Sequence, residues 1–98
     1  MKLKILEEAR RQFRTENAWW RENRDIKALF AQEFLATIRH IQKVPGAGPV
    51  YVEKRGRAIR KWLMPKTRCH IYYRVDSEQD LLLIYSVWGA RRGRGPRL

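Results

Sequence analysis

The sequence predicts an α+β domain: an N-terminal strand, an antiparallel helical hairpin and four further strands in the order β-α-α-β-β-β-β. The helices pack on one face of a mainly antiparallel sheet. Three observations carry that prediction. Apolar residues recur at helical spacing between Leu6 and Ile41. Two apolar runs, Cys69 to Val75 and Leu81 to Trp88, flank the polar segment Asp76-Ser77-Glu78-Gln79-Asp80 in the layout of a long β-hairpin. The breaker Pro45-Gly46-Ala47-Gly48-Pro49 divides the helical half from the strand half.

Taken in order, Met1 to Leu6 alternates Lys2 and Lys4 with Leu3 and Ile5, the pattern of a short half-buried strand. From Glu7 the period changes. Leu6, Ala9, Phe13 and Trp20 fall near one helix face, while Arg10, Arg11, Arg14 and Arg21 spread over the exposed sides. Glu7 and Glu8 suit the positive end of that helix dipole. Asn23-Arg24-Asp25 interrupts the pattern, and Asp25 is the expected N-cap of a second helix. Its apolar face reads Ile26, Phe30, Phe34, Ile38 and Ile41, and Pro45 ends it. So short a polar link predicts a helical hairpin.

Val50-Tyr51-Val52 then reads as a strand, Lys54-Arg55-Gly56-Arg57 as a turn and Ala58 to Leu63 as the return, with Gly56 supplying the permissive backbone. Met64-Pro65-Lys66 turns the chain into the final hairpin. In its first strand Cys69, Ile71, Tyr73 and Val75 alternate with Arg68, His70, Tyr72 and Arg74, which predicts one core face and one face toward a charged partner or water. The second strand is apolar almost throughout, as expected of a strand covered on both faces and central in its sheet. Residues 93–98 are expected to form an irregular basic tail.

The 98 residues form one domain, 1–98, with no repeat, linker or low-complexity tract. Lys and Arg number 22 against 10 Asp and Glu, a formal net charge of +12, which favours polyanions or an acidic protein partner. The excess is uneven: net +4 over residues 1–45 and net +8 over residues 46–98. The lone Cys69, on the apolar face of its strand, cannot form an internal disulfide. That fits a structural thiol and a cytoplasmic protein. No apolar run reaches the length of a membrane span, and the N-terminus lacks the apolar stretch of a signal peptide. No membrane partner is expected.

Several chemistries lack the residues they require. Two histidines, His40 and His70, and one cysteine at unrelated spacings predict no metal site. Ser77 and Ser86 sit in no nucleophile signature. The Gly46-Ala47-Gly48 segment follows a helix and so presents no helix N-terminal amides to a phosphate. No cofactor is expected. What remains is a basic and aromatic set: Arg57, Arg60, Lys61, Arg68, His70, Tyr72, Arg91, Arg92 and Arg94. Metal-free RNA cleavage needs a base, an acid and cations around the phosphate, and Arg68, His70 and Tyr72 at alternate strand positions would offer a cation and two proton-handling groups. The plain alternative is a solvated strand face, with Arg91, Arg92 and Arg94 as a solubilising tail. Trp19, Trp20 and Trp62 fit core packing better than base stacking.

The residues also carry a resemblance. AWWRENR closing the first helix, FAQEFLATIRHIQKVPGAG as the second helix and its breaker, and then IRKWLMPKTRCHIYYRVD and LLLIYSVWGARRGRGP together resemble the RelE/ParE superfamily of toxins from bacterial type II toxin–antitoxin systems. The most specific part pairs a strand ending Tyr-Arg-Val-Asp with one ending Val-Trp and two arginines. The resemblance implies a compact α+β, plasmid-stabilisation type toxin that is neutralised by a small, acidic, partly disordered antitoxin in a hetero-oligomer. RelE-like members cut mRNA on the ribosome with basic strand residues and a C-terminal tyrosine or histidine; ParE-like members poison DNA gyrase and lack that set. Here no tyrosine or histidine follows Trp88, and Gly89 stands where related sequences often have histidine. The resemblance therefore favours the ParE-like side. On that side Arg60, Trp88, Arg91, Arg92 and Arg94 are the expected target-binding residues, and the protein is not an enzyme. On the RelE-like side it is a metal-independent endoribonuclease with Arg68, His70 and Arg60 as catalytic residues. A third expectation, free of the family, is a basic nucleic-acid-binding module without catalysis.

Overall fold

The computed structural model describes residues 1–90 and 94–98. The described residues form two helices and one five-stranded mixed sheet: β1 (Lys2–Ile5), α1 (Glu7–Asn23), α2 (Leu29–Lys43), β2 (Val50–Lys54), β3 (Arg57–Met64), β4 (Cys69–Asp76) and β5 (Leu81–Gly89). The sheet order is β1-β5-β4-β3-β2. β1 runs parallel to β5, and every other neighbouring pair is antiparallel. The central strand is thus β4, and β5 lies beside it.

The helices form because their apolar stripes have a sheet to cover. α1 contributes Ala9 and Trp20, and α2 contributes Phe30, Phe34, Ile38 and Ile41, to a core shared with Met64, Cys69, Ile71, Tyr73, Leu82, Ile84 and Val87. The helices meet where Phe13 packs on Phe30 and Phe34, with ring centroids 5.3 and 4.8 Å away. Each large side chain removed from water here contributes roughly 1.5–3 kcal/mol.

α2 begins later than expected. Its N-cap is Ala28, with no side-chain cap, and Ile26 is 61% exposed instead of joining the stripe. The cause is local: the amide of Leu29 donates to the carbonyl of Ile26, closing a turn before the first core residue, Phe30. Asp25 therefore does not cap the helix.

Two turns are tighter than the sequence suggests. Arg55 and Gly56 both take positive φ, 53° and 74°, as a two-residue hairpin turn of the primed type requires. Between β3 and β4, Arg68 is left-handed at φ 59°, so it belongs to the turn and not to the strand. That turn is held from below. The carboxylate of Glu33, buried on α2, accepts from the amides of Lys66 and Thr67 at 2.8 and 2.9 Å and from the Thr67 hydroxyl at 2.7 Å.

β1 is too short to cover the whole edge of β5. Beyond Ile84, α1 takes over: Gln12 Oε1 accepts from the Val87 amide and the Ser86 hydroxyl, both at 2.8 Å. A bulge at the Tyr72/Tyr73 step of the β4–β5 ladder leaves Tyr85 without a directly opposed partner and shifts the phase of β5 at that point.

Candidate functional site

Directly opposed residues in an antiparallel ladder share a face. Arg60 pairs with Tyr73, Trp62 with Ile71 and Met64 with Cys69, which sets these residues on the helix-covered face. Lys61 pairs with Tyr72 and Leu63 with His70, while on β5 Ser86 pairs with Tyr72 and Trp88 with His70. These define the outer face. His70 and Arg60, expected together at a nuclease centre, therefore point to opposite sides of the sheet.

The outer face is an aromatic and basic surface. The Tyr51 ring meets Tyr72 edge-on at 4.8 Å, the Lys61 ammonium lies 5.4 Å from the Tyr51 centroid, and His70 lies 5.9 Å from Tyr72. Pro49, Lys61, Trp62, Leu63 and His70 line a shallow cavity of about 260 Å³. Partial burial, then the charges of Lys61 and Arg68, hold the His70 imidazolium below its usual pKa range, so the ring is chiefly neutral near pH 7. Tyr72 differs from expectation. It is only 2% exposed, and burial, reinforced by Tyr51, pushes its phenol pKa up. It faces neither water nor an open partner site, because Tyr51 covers it.

The C-terminal residues lie along the same side. The Trp88 indole N–H donates to the Arg94 carbonyl at 2.6 Å, Pro96 is buried, and Lys54 donates to the Leu98 carbonyl. The tail is thus tied down at several points, and Arg94 and Arg97 remain exposed beside Trp88. Arg91 and Arg92 lie outside the described residues.

Arg60 is positioned by a loop on the other face. Its Nη1 donates to the Gly48 carbonyl at 2.8 Å, and the Tyr73 hydroxyl joins the same loop by donating to the Pro45 carbonyl and accepting from the Gly48 amide. Arg57, Arg60 and Arg74 line a cavity of about 590 Å³ at that end of the sheet, together with Asp76 and Glu78. Arg74 donates to the Tyr85 hydroxyl and lies 4.0 Å from Asp76. Arg68, at the far end of the sheet, is exposed, and its carbonyl accepts from the Ala90 amide.

Sequence reasoning singled out Lys61, His70 and Trp88 but not Tyr51, which packs against Lys61 and Tyr72 on that face. The irregular register between Val50 and Val52 sets where Tyr51 falls, and nothing in the sequence marks it. Glu33 was also missed: a carboxylate inside an apolar stripe is the signal that could have found it. Among the described residues, no three His, Cys, Asp or Glu side chains gather as a metal site, and no helix is long and apolar enough to cross a membrane.

The chain matches no family model and no curated protein.

Proposed function

We propose that this protein is the toxin of a bacterial toxin–antitoxin pair, of RelE/ParE type, and that it stops growth by binding and poisoning DNA gyrase without being an enzyme itself. The observation that carries this choice over nucleolytic cleavage is the opposition of Arg60 and His70 across the sheet. A phosphate gripped by Arg60 on one face is out of reach of the imidazole on the other. Tyr72 is buried against Tyr51, which leaves the expected row of Arg68, His70 and Tyr72 without an accessible phenol. What the outer face does present is Trp88 anchored to a basic tail, the kind of aromatic-plus-arginine patch that dominates protein interfaces. A +12 chain is also complementary to a small acidic antitoxin that orders on binding.

The test is a pulse of induced expression in a bacterial host, with DNA, RNA and protein synthesis followed separately. Gyrase poisoning predicts early loss of DNA synthesis, an SOS response and survival of a gyrase-resistant host. Continued killing of that host rejects the reading.

One observation favours the second reading, a ribosome-dependent endoribonuclease. Half-burial, then the charges of Lys61 and Arg68, disfavour the protonated form of His70, the tendency a general base needs. That reading predicts that His70→Ala abolishes toxicity and early mRNA cleavage while antitoxin binding is kept. Unchanged toxicity in this variant removes it.

A further inference from the structure

A cavity of about 510 Å³ opens where the end of α1, the β3–β4 turn and the end of β5 meet, lined by Trp20, Arg24, Lys66, Thr67, Arg68 and Ala90. Its charged lining is entirely cationic. Arg24, Lys66 and Arg68 form no ion pair among the described residues, although carboxylates elsewhere in the chain do pair with arginines. No carboxylate lines the cavity: Glu22 and Asp25, close to Arg24 in the chain, are not among its lining residues, and Glu33, behind the turn, is bonded to the turn amides and the Thr67 hydroxyl.

The frame that carries the three exposed cations is fixed. The Arg24 guanidinium carbon lies 5.1 and 5.4 Å from the Trp19 and Trp20 ring centroids, a cation–π arrangement at a residue otherwise exposed. Lys66 and Arg68 ride on a turn fixed by Glu33, by the bond from the Arg68 amide to the Met64 carbonyl and by the bond from the Ala90 amide to the Arg68 carbonyl. Trp20 completes the wall, and its buried indole Nε1 has no acceptor among the described residues. Three cations lining one cavity repel one another unless an anion joins them, and a fixed turn backbone removes the main-chain part of the ordering cost of binding it.

We propose that this cavity is a phosphate-binding site, in which the guanidinium groups of Arg24 and Arg68 and the ammonium of Lys66 grip one phosphoryl group. Arginine supplies paired donors matched to phosphate oxygens and lysine a compact charge. The site does not rest on the gyrase reading, since Trp88 and its tail lie on the outer face whereas these residues cluster at the turn end of the sheet beside α1; it shares only Arg68 with the nuclease reading. The phosphate could be carried by a free phosphate monoester or by a nucleic-acid backbone, and the two sources are separable by experiment.

Tryptophan fluorescence of the full chain, with Trp19 and Trp20 under Arg24 as reporters, is titrated at constant ionic strength with inorganic phosphate and, separately, with an oligothymidylate lacking terminal phosphates. The expected result is a saturable change with at least one ligand, weakened about tenfold or more in Lys66→Gln/Arg68→Gln. It should be nearly unchanged in Arg39→Gln/Arg55→Gln, which removes the same charge from exposed positions elsewhere. Tighter binding of phosphate assigns a monoester ligand; tighter binding of the oligonucleotide assigns a backbone. Equal weakening in both double variants, or no saturable change with either ligand, overturns the proposal. Arg24→Gln, on the exposed end of α1, repeats the test without touching the turn.

Discussion

Replacing Glu33 with alanine should be the most damaging single change at the turn that displays Lys66 and Arg68. The carboxylate accepts three hydrogen bonds at 2.7–2.9 Å. Thr67 is only 1% exposed, so its amide and hydroxyl cannot turn to water when the carboxylate is gone. Leaving a buried donor unsatisfied costs about 1–3 kcal/mol. Taking the lower-middle of that range for the two Thr67 donors, and nothing for the part-exposed Lys66 amide, gives a loss of about 3 kcal/mol. For a domain of this size each kcal/mol lowers Tm by roughly 4–8 °C, so thermal unfolding followed by circular dichroism should shift down by about 15 °C. Glu33→Gln retains one acceptor oxygen for Thr67 and should lose only about 1 kcal/mol. If Glu33→Ala unfolds within 2 °C of the parent, the carboxylate does not hold the turn and the preorganisation argued for the phosphate site fails with it.

Other perturbations follow from single contacts. A Cβ at Gly48 would stand 2.4 Å from the Lys61 carbonyl oxygen and 2.9 Å from the Tyr73 hydroxyl, so Gly48→Ala should cost about 1–3 kcal/mol in chemical denaturation and loosen the loop that holds Arg60. Gln12→Ala removes the acceptor that covers the β5 edge; it should cost about 1–2 kcal/mol and speed amide exchange at Val87, while Ile84, paired with β1, stays protected. The pKa of His70 is lowered on folding, so between about pH 6.5 and its folded value the unfolded chain binds the extra proton. Stability is therefore full above that window and falls as the pH drops through it, and His70→Gln should lose less Tm between pH 7.5 and 5.5 than the parent does. Asp76, also lowered, acts only below about pH 4 and leaves that comparison clean.

The helices were legible because burial on one side imposes a 3.6-residue period, and Ala9, Trp20, Phe30, Phe34, Ile38 and Ile41 obey it. The β4 alternation was equally plain, and it placed Cys69, Ile71 and Tyr73 correctly in the core. Where both faces of a strand are covered, the alternation vanishes, and with it the information about facing. β5 is apolar nearly throughout, so neither its bulge near Tyr85 nor the outer placement of Trp88 could be read. β3 reads Ala-Ile-Arg-Lys-Trp-Leu, with no period of two, and the facing of Arg60 was lost for the same reason. The start of α2 failed differently. Asp25 is a good capping residue by type, but the chain needs the turn from Ile26 to Leu29 to bring Phe30 onto the sheet, and tertiary packing overrides a local preference worth about 1 kcal/mol.

The facing of Arg60 also decides how the positive charge can be used. A basic strand residue contributes to catalysis only if it shares a concavity with the proton-handling groups, and here the sheet itself separates them. Three groups of cations flank the sheet's cavities: Arg57, Arg60 and Arg74 at the end bearing the β2–β3 turn, Lys61 beside His70 on the outer face, and Arg24, Lys66 and Arg68 at the opposite end. The first group shares its cavity with Asp76 and Glu78, which offset much of its attraction for an anion. The last has no carboxylate in its lining, and two of its members stand on the turn tied by Glu33. An anion drawn in by the net charge of +12 should therefore settle at that end, away from the outer face that carries Trp88.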